Sequence, residues 1–544
     1  MSKKVQAHRD TCRFRKVKCD LEKPDCKRCR DRGNKCTYSL QPLKKARTTE
    51  YAALLERRIE ALEAVLAQKT TRTAEVQPPS EVREPEKAIA PTLGTWSYTH
   101  LDVVAPNVRP MSFPEILEHL VEIFFEKVTA SLMMVHRTSF VEQFRAGKAP
   151  ELLLYSMCAL AARYSPYLSL LCTKNKPAGK PFSERATLLF KGQLDKGPVP
   201  STIQSGLLLG TYEFAAGNGE MAIYFLSITH RAAQYTGLNF VDSAMFYNPV
   251  NPNHLSVDEL ECRRRIWWEC MATDVISATL FGRPLGIDDR DYVVNLPDND
   301  MKWLGLSDQY YFRRLLSALI CAWREVFRFT QHRHLRKWFR NDVITATITK
   351  LEQPLLEYAQ HLPPGMEYRS GPPTVSPAHH SNTAVLHCVY WLIIILLHRS
   401  HIAHGISNKC LSASEMHSKK QCIDAAYQIA TVFQDFESFD DCLLDIFSSF
   451  AAFNAATIFV NIAYTANIAS ATQAQQHLRL LRSFLRHASR VWAMNHMFIE
   501  ILRLMEQLFR RKDPPAARDS SSIDWLVPTS TSYFQWYFAN ISPT

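Results

Sequence analysis

Residues 115–128 read EILEHLVEIFFEKV, with Leu117, Leu120, Val121, Phe124, Phe125 and Val128 falling three and four apart. That spacing lays six apolar side chains along one stripe of a 3.6-residue helix. Trp267, Cys270, Met271 and Val275 repeat the pattern. Such segments alternate with short Pro, Asn and Asp breaks as far as about Arg511, and no run sustains the period of two that a sheet requires. The spacing predicts one large all-α domain over residues 110–512.

The remaining composition fits that reading. The chain has 544 residues, 46% apolar and 22% charged, which excludes wholesale disorder. Glycine, at 17 residues, is too scarce for propellers or glycine-rich nucleotide folds to supply the bulk of the mass. The longest apolar run, Ala384 to Leu397, contains His387 and is shorter than the roughly 18 residues of a membrane span, so no membrane partner is expected. The opening MSKKVQAHRD has no apolar core and does not read as a secretory signal.

Charge and cysteine are distributed unevenly. Residues 1–50 hold 16 Lys/Arg against 6 Asp/Glu, a net of +10 out of +11 for the whole chain. A basic segment this concentrated attracts phosphate polyanions. Five of the 14 cysteines lie in the same segment, spaced Cys12-x6-Cys19-x6-Cys26-x2-Cys29-x6-Cys36. In a reducing compartment such clustered thiols read as metal ligands, and they can converge on tetrahedral zinc at about 2.3 Å. Some 30 residues bury too little apolar surface to fold unaided, so the metal would supply the fold of residues 8–38. A short helix over 12–19 would present Arg13, Arg15, Lys16 and Lys18 outward, in a form that suits the major groove. The other nine cysteines are scattered singly through apolar stretches and read as small buried hydrophobes.

The stretches CRFRKVKCD, KPDCKRC and GNKCTY resemble the fungal zinc binuclear cluster, whose pattern is Cys-x2-Cys-x6-Cys-x6-Cys-x2-Cys-x6-Cys. The resemblance implies a small helix-loop-helix-loop module turning at Pro24, with two zincs per chain. It also implies that Lys16 reads a CGG-type triplet in double-stranded DNA while Arg13, Arg15 and Lys18 hold phosphates. The body resembles the same family's helical regulatory region over roughly residues 112–460, most tellingly in ECRRRIWWECMATDVISATLFGRPLGIDDRDYVVNLP at 261–297. That region implies contacts with the transcription machinery or co-regulators, and with a small-molecule inducer.

One position departs from the pattern: Arg9 stands where the first cysteine belongs. Two tetrahedral zincs need eight bonds, which six thiolates with two bridges supply; five thiolates with Cys26 as the sole bridge supply six. Three readings stay open. The residue at position 9 is a sequence fault; or the cluster forms weakened, with His8 or water as substitute ligand and fewer zincs; or direct DNA binding has been lost.

Residues 39–49 form a basic linker whose Lys44, Lys45 and Arg47 suit nuclear import. In residues 50–68, Leu55, Ile59, Leu62 and Leu66 step 4, 3, 4, the seam of a short coiled coil that would pair two chains as a homodimer. A Pro-rich, charged linker (69–109) follows, and a Ser/Thr- and aromatic-rich tail (513–544) ends the sequence.

Weaker signals have bland readings. Gly217-Asn218-Gly219 lacks the third glycine of a dinucleotide loop. His398, His401 and His404 step along a helix end without an evident acidic partner. Residues 322–340 read as a helix with buried aromatics and solvated cations. Arg263, Arg264 and Arg265 are expected to pair with the Asp288–Asp291 loop. No catalytic constellation is present, so no enzyme is expected. The composite expectation is a nuclear, sequence-specific DNA-binding transcription factor. The alternative is a regulator without direct DNA contact, acting through its coiled coil and helical body.

Overall fold

A computed structural model describes residues 8–9, 30–31, 38–39, 112–128, 132–165, 178–243, 255–298, 300, 303, 311–331, 341–368, 377–402, 412–436, 445–465 and 467–511. The chain divides into two units, Met1–Ser97 and Tyr98–Thr544.

In the first unit, β1 (His8–Arg9) pairs antiparallel with β2 (Tyr38–Ser39), His8 opposite Ser39 and Arg9 opposite Tyr38. Two residues per strand are too few to leave an alternating signature, so the sequence gives no sign of them. The ladder brings the main chain just before Cys12 beside the main chain just after Cys36. The five cysteines, Arg13, Arg15, Lys16, Lys18, the 50–68 seam and residues 40–49 and 69–109 lie outside the described residues.

Every regular element among the second unit's described residues is helical. In order they are α1 (Phe113–Ile123), extended by a π-helical turn (Phe124–Val128), α2 (Arg137–Arg145), α3 (Glu151–Ala161), α4 (Lys180–Lys196), α5 (Pro200–Ala215) and α6 (Gly219–Tyr235). Then come α7 (Val257–Phe281), α8 (Phe312–Gln331), α9 (Asn341–Gln360), α10 (Pro377–Arg399), α11 (Ala413–Gln434), α12 (Ile446–Thr465), α13 (Ile468–Ala488) and α14 (Met494–Arg511). The expectation of an all-α body holds over these residues.

Local sequence explains several boundaries. Ser112, Ser256 and Ser412 each stand three residues before a glutamate, and each donates its backbone N–H to that side chain, at 2.6, 3.0 and 2.8 Å. At the second and third sites the serine hydroxyl also accepts the glutamate's N–H, which completes a capping box. Asn467 caps α13 by accepting the Ser470 N–H at 2.9 Å. Gly282 ends α7 in the left-handed region, at φ 63°.

All the helices share one apolar core. The stripe that opened the sequence reading is inside it, with Leu120 and Phe124 fully buried. α5 and α6 form a close hairpin. A Cβ placed on Gly206 would sit 2.1 Å from Thr229 Oγ1, and one on Gly210 would sit 2.6 Å from a Leu226 methyl, so only glycine permits this approach. α7 packs against α5, α6 and α8, and α12 packs against α10, α11, α13 and α14. Two segments, His380–Arg399 and α12, are long and apolar enough to cross a membrane, although no single apolar run reaches that length. Of these windows 78% and 94% is buried inside the body, as expected of a helix that is apolar on all sides at the centre of a core.

Candidate functional site

The segment richest in motif, residues 261–298, builds a buried charge network around α7. Arg265 is fully buried on α7; it meets Glu261 one turn back at 2.7 Å and Asp300 at 2.6 Å, and its guanidinium lies 4.7 Å from the Trp303 ring centre. Arg264 forks onto Asp242 at 2.5 and 2.9 Å, and Asp242 also accepts the Asn295 N–H at 2.7 Å. Burial pushes the Asp242 carboxyl up, but the Arg264 and Asn295 bonds outweigh it and leave the group below the usual carboxylate range. Trp268 Nε1 donates to the Asn295 carbonyl at 2.8 Å, and the Asp298 N–H donates to Glu261 at 3.0 Å. The loop after α7 is thereby fastened back along the helix it leaves.

A second set of ion pairs joins α7 to α8. Glu269 meets Arg313 at 2.7 Å and Asp274 meets Arg324 at 2.8 Å, all four side chains at most 6% exposed. Asp274 also accepts the N–H groups of Gly286 and Ile287. Burial raises the Glu269 carboxyl above its ordinary value, although Arg313 works against it. Arg324 also bonds Asp289 at 2.8 Å, and Arg328 shares that carboxylate.

These contacts correct three expectations. Arg264 and Arg265 do make internal ion pairs, but with Asp242, Glu261 and Asp300; Asp288 pairs with Arg290 and Asp289 with α8. The loop runs back along α7, so the residues opposite the arginines are those past Asn295 and in the turn at 242. In the 322–340 stretch, Arg324 is fully buried rather than solvated, because two carboxylates compensate it. His398 does have an acidic partner, Glu352 at 2.8 Å, and Glu352 also lies 3.9 Å from His417. The His398 bond holds the Glu352 carboxyl below its usual range. Among the described residues no group of three or more His, Cys, Asp or Glu could hold a metal.

The remaining bland readings fit the described residues. Gly217, at φ 85°, turns the chain between α5 and α6. Of the scattered cysteines, Cys158, Cys270, Cys388 and Cys422 are buried free thiols, Cys262 and Cys321 are only half-buried, and Cys172, Cys410 and Cys442 lie outside the described residues; burial pushes the Cys422 thiol up to about 12. Sequence reasoning missed Arg163, which donates to the carbonyls of Val491 (2.6 Å) and Ala215 (2.7 Å). It also missed His230 and Asp445, whose settings are created by chain far away in sequence.

Two family models match the chain. The fungal Zn(2)-Cys(6) binuclear cluster domain matches residues 10–45, and the fungal specific transcription factor domain matches residues 121–332. The second takes in the whole α7 network. The chain thus carries matches to both a zinc binuclear cluster domain and a fungal transcription factor domain, in that order.

Curated relatives agree. A Zn(2)-C6 fungal-type transcription factor, FTF2, of Fusarium oxysporum f. sp. lycopersici is 25% identical over 340 residues, 53% of this chain and 31% of the relative. Cutinase transcription factor 1 alpha of Fusarium vanettenii is 24% identical over 414 residues, 73% of this chain and 43% of the relative. A transcriptional regulatory protein of Schizosaccharomyces pombe is 22% identical over 541 residues, 83% of each chain. The chain spans about a third of the length of the first of these relatives. No solved structure matches. These domains and relatives are those of transcription factors and not of enzymes.

Zinc is the metal that the N-terminal family carries, two ions per domain. Five thiols suit zinc in kind. In number, residues 10–45 hold five cysteines against the six in the domain's description.

Proposed function

We propose that the protein is a nuclear transcription factor that reads CGG-type triplets in double-stranded DNA. Cys12, Cys19, Cys26, Cys29 and Cys36 would hold the zinc. Lys16 would contact guanine edges, and Arg13, Arg15 and Lys18 would hold the backbone. Leu55, Ile59, Leu62 and Leu66 would pair two chains, so that two half-sites are engaged together and affinity rises by effective concentration. The helical body would respond to co-regulators or to a small-molecule inducer. The observation that carries this reading is the cysteine spacing over 12–36, interleaved with cations and lying in the segment that the cluster family matches.

Arg9 favours a second reading, in which an incomplete cluster no longer grips DNA and the chain acts through dimerisation and its helical body. Zinc content and gel shifts separate the two. If the first reading holds, the chain shifts a CGG-type duplex in preference to random competitor, and Arg9→Cys raises bound zinc to about two per chain. If the wild type shifts no duplex and Arg9→Cys gains the activity, the second reading stands. Unchanged metal content in Arg9→Cys would overturn the bond-counting argument.

A further inference from the structure

Beside the charge network, α6 and the turn after α7 line a cavity of about 210 Å³ that shares only Asp274 and Gly286 with it. Ile223, Leu226, Ser227, His230 and Arg231 line it from one face of α6, and Asp274, Arg283 and Pro284 line it from the α7 side. Its charges are unbalanced. Asp274 is compensated by Arg324 and by two backbone N–H groups. Arg231 and Arg283 at the rim are exposed. Among the described residues Arg231 donates its guanidinium to the neutral Gln234 side chain, and Arg283 has no side-chain partner. Two uncompensated guanidiniums beside an apolar wall suit a carboxylate with a short hydrocarbon body.

The floor adds a further requirement. His230 is buried, which pushes its imidazole down to about 4 and keeps it neutral at physiological pH. Its Nε2 lies 3.0 Å from Thr273 Oγ1, and that hydroxyl donates to the Glu269 carbonyl at 2.8 Å. With that hydroxyl donating to the carbonyl, the tautomer that satisfies both contacts has Nε2 as donor and Nδ1 as acceptor. A bound acid therefore gains from carrying a donor of its own. An ammonium donor would be repelled by the two arginines; a hydroxyl would not.

We propose that this cavity binds a small hydroxy acid: its carboxylate on Arg231 and Arg283, its hydroxyl toward His230, its hydrocarbon against Ile223, Leu226 and Pro284. This deepens the reading of the helical body as the inducer-responsive part and makes no use of the zinc segment. The test is thermal melting and calorimetric titration of the full chain without DNA, using 2-hydroxyhexanoate as the probe. Hexanoate, 2-aminohexanoate, 2-hydroxyhexanamide and sulfate are the comparisons.

Saturable stabilisation by the hydroxy acid is expected, with each comparison at least about tenfold weaker, the scale of one lost charged or buried hydrogen bond. Arg283→Ala and Arg231→Ala change exposed side chains, so both should melt as the wild type does without ligand and lose about tenfold or more in affinity. Absence of binding by the hydroxy acid, equal binding of sulfate, or hydroxy-acid binding untouched by Arg283→Ala would each overturn the proposal. Because no duplex is present, none of these results bears on whether the zinc segment reads DNA.

Discussion

The N-terminal 50 residues and the helical body spend the same residue type in opposite ways. The first segment carries a net charge of +10 with few carboxylates to absorb it. The body is nearly neutral, yet it places Arg163, Arg265, Arg313, Arg324 and Arg399 in its interior, each at most 5% exposed. There each guanidinium bonds carboxylates, carbonyls or hydroxyls: Arg399, for example, bonds the Asn454 amide oxygen and the Thr457 hydroxyl of α12. Segmental charge therefore tells which arginines are available to a polyanion, whereas the identity of a single arginine does not. The two regions should also differ in what holds them together: metal in one, a packed core and buried ion pairs in the other.

The sharpest way to break this comparison is to remove the metal. A zinc chelator should abolish duplex binding and leave the thermal unfolding of the body in place, since a structural zinc contributes on the order of 10 kcal/mol to its own small domain. A chelator that melts both regions together, followed by calorimetry, would erase the distinction.

Next comes the body's own fastening. Arg324→Met leaves Asp274 and Asp289 facing an apolar side chain, and should cost about 3–5 kcal/mol in denaturant unfolding. Adding Asp274→Asn should restore part of that loss if the penalty comes from the stranded charge.

A single base contact is smaller. Lys16→Ala should weaken binding to a CGG-type duplex by about 1–3 kcal/mol and leave non-specific binding nearly unchanged. Equal weakening of both in a gel shift would reduce Lys16 to a phosphate contact.

The gentlest test lies at Asp445, where burial pushes the carboxyl up to about 6 against the bonds it accepts from Ser448 and Phe447. A carboxyl raised on folding contributes stability that is full below about pH 4 and is lost as pH rises through about 6. Asp445→Asn should flatten the melting temperature across that window, by the equivalent of at most about 3 kcal/mol, and remain a competent helix cap. An unchanged pH profile would show that Asp445 is ionised throughout.

Much of the fold was legible because its signals are local. The stripe from Leu117 to Val128 sits on the very helix it causes; the serine–glutamate pairs before α1, α7 and α11 and the Gly282 stop are equally local, although the expectation of an all-α body did not rest on them. The partners of Arg264 and Arg324 were not legible, because Asp242 and Asp274 lie 22 and 50 positions away and the return path of the loop decides the pairing. The α6–α7 cavity was hidden for the same reason. His230 reads as one more residue on a helix face until α7 is laid beside it.

Arg163 carries one further consequence. Its guanidinium joins the end of α3 to the carbonyl that ends α5 and to Val491, 328 residues downstream, while the Ala493 N–H returns to that same Ala215 carbonyl at 2.7 Å. On the ribosome, the first half of the body must wait with this staple open until almost the last helix has emerged. A fragment cut near residue 332, where the matched domain stops, would keep the Arg163–Ala215 bond but lose the Val491 carbonyl and the Ala493 N–H that complete the staple.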